Sequence, residues 1–433
     1  MTRIRAVLNY FLKKKEVINA SWLIIGRVVQ MILSFVVGIF TARFLGPSNY
    51  GLINYGLAFV TFFVAFCNLG INSILVKEIV DSPEESGTIL GTTCFLRFLS
   101  SVLCSVLIGI SVWFIDYGES QTIIVVIICS ISLIFQIPEV FNYWFQAHYQ
   151  SKITAITSLI SYSITSIYKI ILLILKMDVK WFAFANTLDY IVYGTIIVCY
   201  YKRYKGPKLS ICLSKGKMLL SKSYHFILSS AMIAVYMQTD KLMLKQMLTE
   251  AEVGYYSIAN NICNMWVFIL AAIIDSMNPT IFRLYENKEY NSFTKTNKRM
   301  YCIVFYLSCI VSMGFLILGK YIVLILYGKA YSGAIGPLLV LTWYTAFSYL
   351  GVARNSWLVC KNAQKYLKYL YIGAAIINVV LNYYLIPIFG ATGAAIASLI
   401  TQVATSLIFP LIFRETRENA KLMLEAIVFK GIK

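Results

Sequence analysis

Twelve apolar stretches, each about as long as a membrane-spanning helix, recur along this 433-residue chain. A hydrocarbon core of about 30 Å requires roughly 20 apolar residues per helix, and a helix satisfies its own backbone polar groups there. With 59% hydrophobic and 13% charged residues, the chain lacks the polar surface of a water-soluble protein. We therefore expect an all-α membrane protein with about 12 transmembrane helices. The stretches lie near residues 18–42, 50–72, 88–114, 121–146, 153–175, 180–201, 224–248, 253–276, 300–319, 336–358, 366–387 and 392–413.

The positive charges follow the connections between these stretches. With the N-terminus in the cytoplasm, 27 of the 38 lysines and arginines lie on the cytoplasmic side, seven lie in outer connections or at outer helix ends, and four lie deeper within helices. Cytoplasmic loops of membrane proteins carry such an excess, so we predict that both termini are cytoplasmic. Topology and attraction to anionic membrane lipids account for the net charge of +19, and we do not expect nucleic-acid binding.

The longest inner loop, near 202–222, divides the chain into two sets of six stretches. We expect an N-terminal six-helix lobe at residues 1–205 and a C-terminal six-helix lobe at residues 206–433. The first outer connection runs from Leu45 to Gly51, and 203 residues later a similar connection runs from Leu248 to Gly254. In the second connection, Thr249 and Glu252 have the spacing of a capping box. Because each set has six spans, the second set starts on the same side of the membrane as the first. The two similar connections therefore predict parallel repeats.

Several short motifs carry a family resemblance, which covers nearly the whole chain. In these motifs the chain resembles the polysaccharide flippase branch of the multidrug/oligosaccharidyl-lipid/polysaccharide exporter superfamily, in particular the Wzx-type O-antigen transporters. The matching segments are Ala42–Gly51, Tyr143–Gln146, Asp240-Lys241, Val253–Tyr256, Tyr327–Tyr331, Asn378-x-x-x-Asn382, Ile386-Pro387 and Gly390–Ile396.

The resemblance implies a fold and a function. The fold would be a MATE-like, V-shaped bundle of two six-helix lobes around a central cavity. The function would be a flippase of the bacterial inner membrane that carries undecaprenyl-pyrophosphate-linked oligosaccharide from the cytoplasmic to the periplasmic leaflet by alternating access. Such a flippase would supply O-antigen or related surface polysaccharide synthesis, with a polysaccharide polymerase and a chain-length regulator as further partners.

Apart from the lysines at outer helix ends, four basic residues lie within apolar stretches, where an ionisable group is costly and usually faces a cavity or a partner. We expect Arg27, Arg97 and Arg354 in the inner third of the bilayer and Lys169 in the outer third. A pyrophosphate is a dense anion, and the guanidinium fork binds such oxygens well. We therefore predict that these four residues bind the pyrophosphate. The alternative is a structural role, in which they pair within the protein or extend to the headgroups.

Acidic residues in the stretches are candidates for ion coupling or gating. Asp240 and Lys241 form a charged pair in the seventh stretch, Glu139 lies beside Pro138 in the fourth, and Asp189 lies in the sixth. We predict a coupling or gating role for these four residues. The alternative for Glu139 and Asp189 is neutralisation of an arginine across the bundle.

Two other function classes remain as alternatives. A multidrug or cation antiporter of the same superfamily would be expected to line its cavity with acidic rather than basic residues. A membrane glycan polymerase would need catalytic groups on large outer loops, whereas the predicted outer loops are short and no catalytic motif occurs. We therefore do not expect an enzyme. With His148 and His225 as the only histidines and no Cys-x-x-Cys pair, we predict no metal and no cofactor.

Overall fold

The structure is a computed structural model that describes residues 15–429, apart from the side chains of residues 15–25, 27, 28, 228 and 229. Between residues 15 and 429 it contains helices and turns and no β-strand. The predicted cytoplasmic termini at residues 1–14 and 430–433 lie outside the described residues, as does the side chain of Arg27. The contacts divide the chain into two compact units.

The first unit contains the described residues up to Leu45 and the segment Gly56–Ala234. Inside α1, Gly46 has a positive φ of 71° and a ψ of 172°, a backbone conformation that glycine adopts without strain. Gly46 thus marks the turn between the first two predicted spans. The helices of the unit are α1 (Lys15–Cys67), α2 (Asn72–Asp81), α3 (Ser86–Ile115), α4 (Ser120–Phe135), α5 (Val140–Ala147), α6 (Ser151–Ile174), α7 (Val179–Arg203) and the first part of α8 (Leu213–Met247).

The second unit contains Gly46–Tyr55 and the described residues from Val235 onward. A π-helix at Ala404–Ile408 joins two of its helices, α14 and α15. The helices after α8 are α9 (Glu250–Asn264), α10 (Val267–Glu286), α11 (Tyr290–Tyr327), α12 (Ile335–Cys360), α13 (Leu367–Phe389), α14 (Ala391–Val403), α15 (Phe409–Ile412) and α16 (Arg414–Ile427). By its contacts, segment 206–234 packs with the first unit. The lobe boundary at residues 205 and 206 stays a prediction.

The helices confirm the predicted all-α membrane architecture. Within the described residues, ten helices are long and apolar enough to cross a membrane, and the bent pair Leu213–Ile227 and Ser230–Met247 raises the number to eleven. The difference between eleven and twelve arises because the first two predicted spans run on through α1 and count as one. Large apolar side chains such as Leu103 and Ile310 are 60% and 68% exposed, as expected for surfaces that face lipid.

The two connections of the predicted repeat pack against each other within the second unit. A Cβ on Gly51 would overlap the backbone carbonyl of Glu250, and a Cβ on Gly254 would overlap the carbonyl of Pro47. The absence of a side chain at both glycines therefore allows α1 and α9 to approach to backbone contact at this point.

The predicted capping box at Thr249 and Glu252 was wrong. Thr249 is the N-cap residue of α9, but its side chain makes no capping hydrogen bond. The Glu252 carboxylate instead accepts a hydrogen bond of 2.6 Å from the backbone N–H of Ala391, at the first turn of α14. A carboxylate at a helix N-terminus satisfies a donor that lacks an intrahelical partner, and here the helix is 139 residues away in sequence.

The linker between α7 and α8 lies along the beginning of α3 in the first unit. The backbone N–H of Ser210 donates to the carbonyl of Gly87 over 3.4 Å, and that of Cys212 donates to the Thr92 hydroxyl over 3.0 Å. A Cβ on Gly87 would overlap the carbonyl of Lys208, and one on Gly91 would overlap that of Ser210. The four-residue spacing of the two glycines thus provides a groove for the linker.

Two ion pairs fasten the beginning of α8 beside this groove. Lys215 pairs with Glu85, and Lys222 pairs with Glu78 over 2.7 Å. Both pairs are partly exposed, so each contributes only about 0–1 kcal/mol. The glycine groove is therefore the more specific determinant of where the linker lies.

Candidate functional site

Asp240 on α8 is the centre of a buried polar cluster in the second unit. Its side chain is 3% exposed. Its Oδ1 accepts hydrogen bonds from the side-chain amides of Asn378 over 3.1 Å and Asn382 over 2.7 Å. Its Oδ2 accepts hydrogen bonds from the hydroxyls of Tyr256 and Ser398. Four donors from three helices therefore compensate for the removal of this carboxylate from water.

The local sequence explains how the donors converge. Asn378 and Asn382 are four residues apart on α13, so both amides lie on one helix face, and Asn382 also donates to the Oδ1 of Asn378 over 3.1 Å. Ser398 lies on α14, which begins with the small residues Ala391–Ala395. A Cβ on Gly393, a buried residue of this helix, would overlap the backbone of Leu385 on α13. The close approach of α13 and α14 brings Ser398 to the carboxylate.

Lys241, the next residue, lines a cavity of about 270 Å³ within the second unit. Its side chain is half-buried and forms no ion pair with any residue in the described part of the chain. The cavity also contains aromatic and amide side chains, including Tyr236, Tyr344 and Asn260. Asp240 lines the same cavity, so the predicted pair of charges reaches one polar space inside the unit.

Arg354 lies in the interior of the second unit, 1% exposed. Its Nη1 donates to the backbone carbonyl of Thr405 over 2.9 Å, and its Nε is buried without a hydrogen-bond partner among the described residues. Thr405 lies in the π-helix, and such a local widening leaves backbone groups available to partners outside the helix. The predicted role of Arg354 in binding the pyrophosphate stays a prediction.

The basic residues of the first unit have different surroundings. Arg97 is 2% exposed, and its guanidinium donates to the Oδ1 of Asn72, while its Nε is buried and has no hydrogen-bond partner in the described part of the chain. Lys169 is half-buried on α6, close enough to Asp189 for an electrostatic interaction. The side chain of Arg27 lies outside the described residues. Binding of a pyrophosphate by Arg97, Lys169 or Arg27 stays a prediction.

Glu139 and Asp189 lie together at a polar cavity of about 180 Å³ in the first unit. The Oδ1 of Asp189 accepts hydrogen bonds from Ser161 over 2.7 Å and Thr165 over 3.3 Å. Glu139 interacts electrostatically with both Arg97 and Asp189. The geometry is compatible with either role that the sequence suggested, ion coupling or neutralisation of an arginine, and both stay predictions.

The sequence did not indicate several residues of these sites. Asn378 and Asn382 form one of the segments that match the family, but the sequence assigns no role to them or to Tyr256 and Ser398, which also donate to Asp240. A usable signal was present, because two asparagines at i and i+4 inside an apolar stretch predict a polar helix face. The first unit's cavities gave a weaker signal, since their amides and hydroxyls are scattered over α1, α5 and α6.

Comparisons with known proteins agree with the motifs. The sequence profile of the family described as polysaccharide biosynthesis protein matches residues 17–285. The chain is 20% identical to the capsular polysaccharide biosynthesis protein CapF of Staphylococcus aureus over 397 residues, which cover 89% of this chain and 96% of that protein. It is 22% identical to a protein of Escherichia coli (strain K12) named as an O-antigen transporter, with 90% and 94% covered.

Solved structures share the fold. An inward-facing multidrug resistance MATE transporter of the MOP superfamily superposes with a TM-score of 0.71 at 14% identity, over 95% of this chain and 99% of that one. The lipid II flippase MurJ, in an inward closed conformation, gives a TM-score of 0.70 at 15% identity, with 94% and 90% covered. The MATE-like fold class is thus confirmed. Because the family profile matches more than half of the sequence, the chain belongs to the polysaccharide biosynthesis protein family.

Proposed function

We propose that this protein is a flippase that moves an undecaprenyl-pyrophosphate-linked oligosaccharide from the cytoplasmic to the periplasmic leaflet of the bacterial inner membrane. The product supplies synthesis of O-antigen or a related surface polysaccharide. Family membership supports a role in polysaccharide export, and the names of the curated relatives agree with it. The likeness to a lipid II flippase supports a fold that can accommodate a lipid-linked saccharide.

One structural observation carries the proposal. Each unit contains a cavity with ionisable groups in its lining, with Asp240 and Lys241 at the cavity of the second unit and Glu139 and Asp189 at a cavity of the first. Ionisable groups inside a membrane are costly and mark substrate or ion pathways. A transporter requires such cavities, whereas an inert membrane scaffold does not.

In this proposal the basic residues bind the substrate's pyrophosphate. Arg97 and Arg354 are deeply buried, and each has a guanidinium nitrogen without a hydrogen bond within the described residues. Arg27 and Lys169 complete the set that we assign to the anion. Arginine can engage phosphate oxygens through two parallel donors, so Arg97→Lys and Arg354→Lys are expected to impair transport even though the charge is kept.

Asp240 couples transport to an ion gradient in this proposal. Its four hydrogen bonds come from α9, α13 and α14, so a change in its protonation or in cation binding alters contacts with three helices at once. Lys241, Glu139 and Asp189 assist in coupling or gating. Alternating access of the two units exposes the substrate first to the cytoplasm and then to the periplasm, and both termini are cytoplasmic.

A deletion strain tests the proposal. Loss of the gene is expected to abolish the surface glycan and to leave the lipid-linked unit on the inner leaflet, and the plasmid-borne gene restores the surface glycan. Polymerase and chain-length regulator act after this step, so they are expected to be intact but without substrate. Normal surface glycan in the deletion strain, combined with new sensitivity to cationic drugs, would instead support the superfamily's multidrug antiporters as the functional class.

A further inference from the structure

Two adjoining cavities lie inside the first unit. One has a volume of about 300 Å³ and the other about 180 Å³. Gln30, Asn142, Ser158 and Tyr193 line both of them, so the two cavities adjoin at these four side chains, among α1, α5, α6 and α7. A polar space of this size in a membrane-spanning unit needs water or a polar guest to satisfy its lining.

The lining indicates the chemistry of that guest. It consists of amides, hydroxyls, tyrosines and the carboxylates of Glu139 and Asp189. Among the described residues, no lysine or arginine and no valine, leucine, isoleucine or methionine lines either cavity. Arg97 and Lys169 interact electrostatically with these carboxylates but line neither cavity, so among the described residues the lining offers acidic and no basic groups to a guest. Such a lining disfavours an anionic guest, and the near absence of aliphatic side chains disfavours an apolar one.

Much of the hydrogen-bonding capacity of the lining is available. The amides of Gln30 and Gln146 form no hydrogen bond within the described part of the chain. The Oδ1 of Asn142 accepts from the Tyr193 hydroxyl, which leaves the amide nitrogen of Asn142. Ser161 and Thr165 donate to one oxygen of Asp189, which leaves the other carboxylate oxygen. Donors and acceptors are therefore offered side by side, as adjacent hydroxyl groups require.

A metal ion fits the cavity less well. A hard cation takes six or more oxygen ligands as a rule, with several carboxylates among them. The described residues contain no cluster of three acidic, histidine or cysteine side chains that could hold a metal. The amide groups supply N–H donors as well as oxygens, and N–H donors repel a cation.

We infer that the adjoining cavities of the first unit are a subsite for one pyranose sugar of the lipid-linked glycan. The inference rests on the proposed function, and it assigns to the first unit the recognition of the sugar. Gln30, Asn142 and Gln146 hydrogen-bond the hydroxyls, the free oxygen of Asp189 accepts from one of them, and the rings of Tyr143 and Tyr193 cover the apolar face of the sugar.

A double-mutant cycle between the protein and the ligand tests the inference. The variant Gln30→Ala/Gln146→Ala removes two amides, and Gln364→Ala removes an exposed amide outside both cavities as the matched control. The two probes are undecaprenyl pyrophosphate bearing the complete oligosaccharide and bare undecaprenyl pyrophosphate. Dissociation constants are measured for the purified full-length protein in detergent by native mass spectrometry.

The wild type is expected to bind the glycan-bearing lipid about tenfold more tightly than the bare lipid, as one or two net hydrogen bonds would give. The double variant loses most of that ratio while its affinity for the bare lipid stays within about twofold of the wild type. The Gln364→Ala control keeps the ratio.

Three results would overturn the inference in distinguishable ways. If the double variant keeps the wild-type ratio, or weakens both lipids equally, the cavity does not bind the sugar. If the wild type binds both lipids equally, sugar recognition is absent while the proposed flippase function stands. If the wild type binds neither lipid, the proposed function itself is wrong.

Discussion

The side-chain amide of Asn382 donates to the Asp240 carboxylate over 2.7 Å, across 142 residues of sequence. This bond and those from Asn378, Tyr256 and Ser398 join α8, α9, α13 and α14 at one buried charge. Because the donors face a carboxylate, a neutral group of the same shape leaves at least one of them without its acceptor. Such a loss costs about 1–3 kcal/mol for each buried donor.

We therefore expect Asp240→Asn to reduce flipping at least about tenfold and to remove its response to an imposed proton or sodium gradient. Flipping is measured in proteoliposomes with and without each gradient. Asp275→Asn is the matched control, because Asp275 is exposed. An Asp240→Asn protein that folds and still responds to a gradient contradicts the coupling role.

The contact between α1 and α9 predicts a second effect. We expect Gly51→Ala and Gly254→Ala each to destabilise the protein by about 1–3 kcal/mol, because the added Cβ overlaps a backbone carbonyl. In Gly314→Ala, the control, the Cβ meets no atom within 4 Å and the helix propensity improves. Thermal unfolding of the purified variants gives the comparison, and equal melting temperatures for all three would exclude the close contact.

The linker groove predicts a change in protease sensitivity. In Gly91→Val the side chain displaces the Ser210 carbonyl, so the segment with Lys205 and Lys208 is expected to become accessible to trypsin about tenfold faster. Gly109→Val, on the same helix with open space around its Cβ, is the control. Cleavage rates of purified protein are compared by the appearance of the two fragments. Unchanged linker cleavage in Gly91→Val would show that the groove does not hold the linker.

Labelling of Cys212 measures the reactivity of its thiol and the side of the membrane on which the linker lies. The Ser214 hydroxyl, followed by the backbone N–H of Lys215, lowers the pKa of the Cys212 thiol below its ordinary value. A lowered pKa means that the thiolate persists to lower pH, so alkylation is expected to stay fast at pH values where an ordinary thiol has slowed. In Cys212→Ser this fast phase disappears.

The same labelling tests the predicted topology. A membrane-impermeant maleimide is expected to label Cys212 in inverted membrane vesicles and not in intact cells, because the linker is cytoplasmic in the proposed orientation. Labelling at Cys212 in intact cells would reverse that orientation. Labelling of Cys212→Ser under the same conditions measures the background from the other nine cysteines.

Hydropathy was sufficient to predict the membrane-spanning helices, because the bilayer fixes both their length and their composition. Asp240 was also identifiable, since a carboxylate inside an apolar stretch is rare. Its partners Asn378 and Ser398 were not, because contacts over 138 and 158 residues depend on which helices pack together. A span that is apolar all round does not show its inward face.

Arg354 and Glu252 illustrate the same limit. Arg354 lies within a helix, as its apolar stretch predicted. Its hydrogen bond to the Thr405 carbonyl, however, depends on the π-helix, which the sequence did not predict. The spacing of Thr249 and Glu252 matched a local cap, yet Glu252 caps α14 because tertiary packing brings Ala391 to it. Local rules thus identified the charged residues inside the apolar stretches, and long-range packing determined their partners.

Transbilayer movement of the lipid-linked oligosaccharide in proteoliposomes is the decisive measurement of flippase activity. The substrate is incorporated in the inner leaflet, and an impermeant lectin measures the fraction of glycan that reaches the outside. Vesicles with the wild-type protein are expected to expose the glycan many times faster than protein-free vesicles, and vesicles with Asp240→Asn are expected to do so far more slowly than the wild type. Exposure at the protein-free rate with a folded, correctly inserted wild-type protein would show that the protein is not a flippase for this lipid.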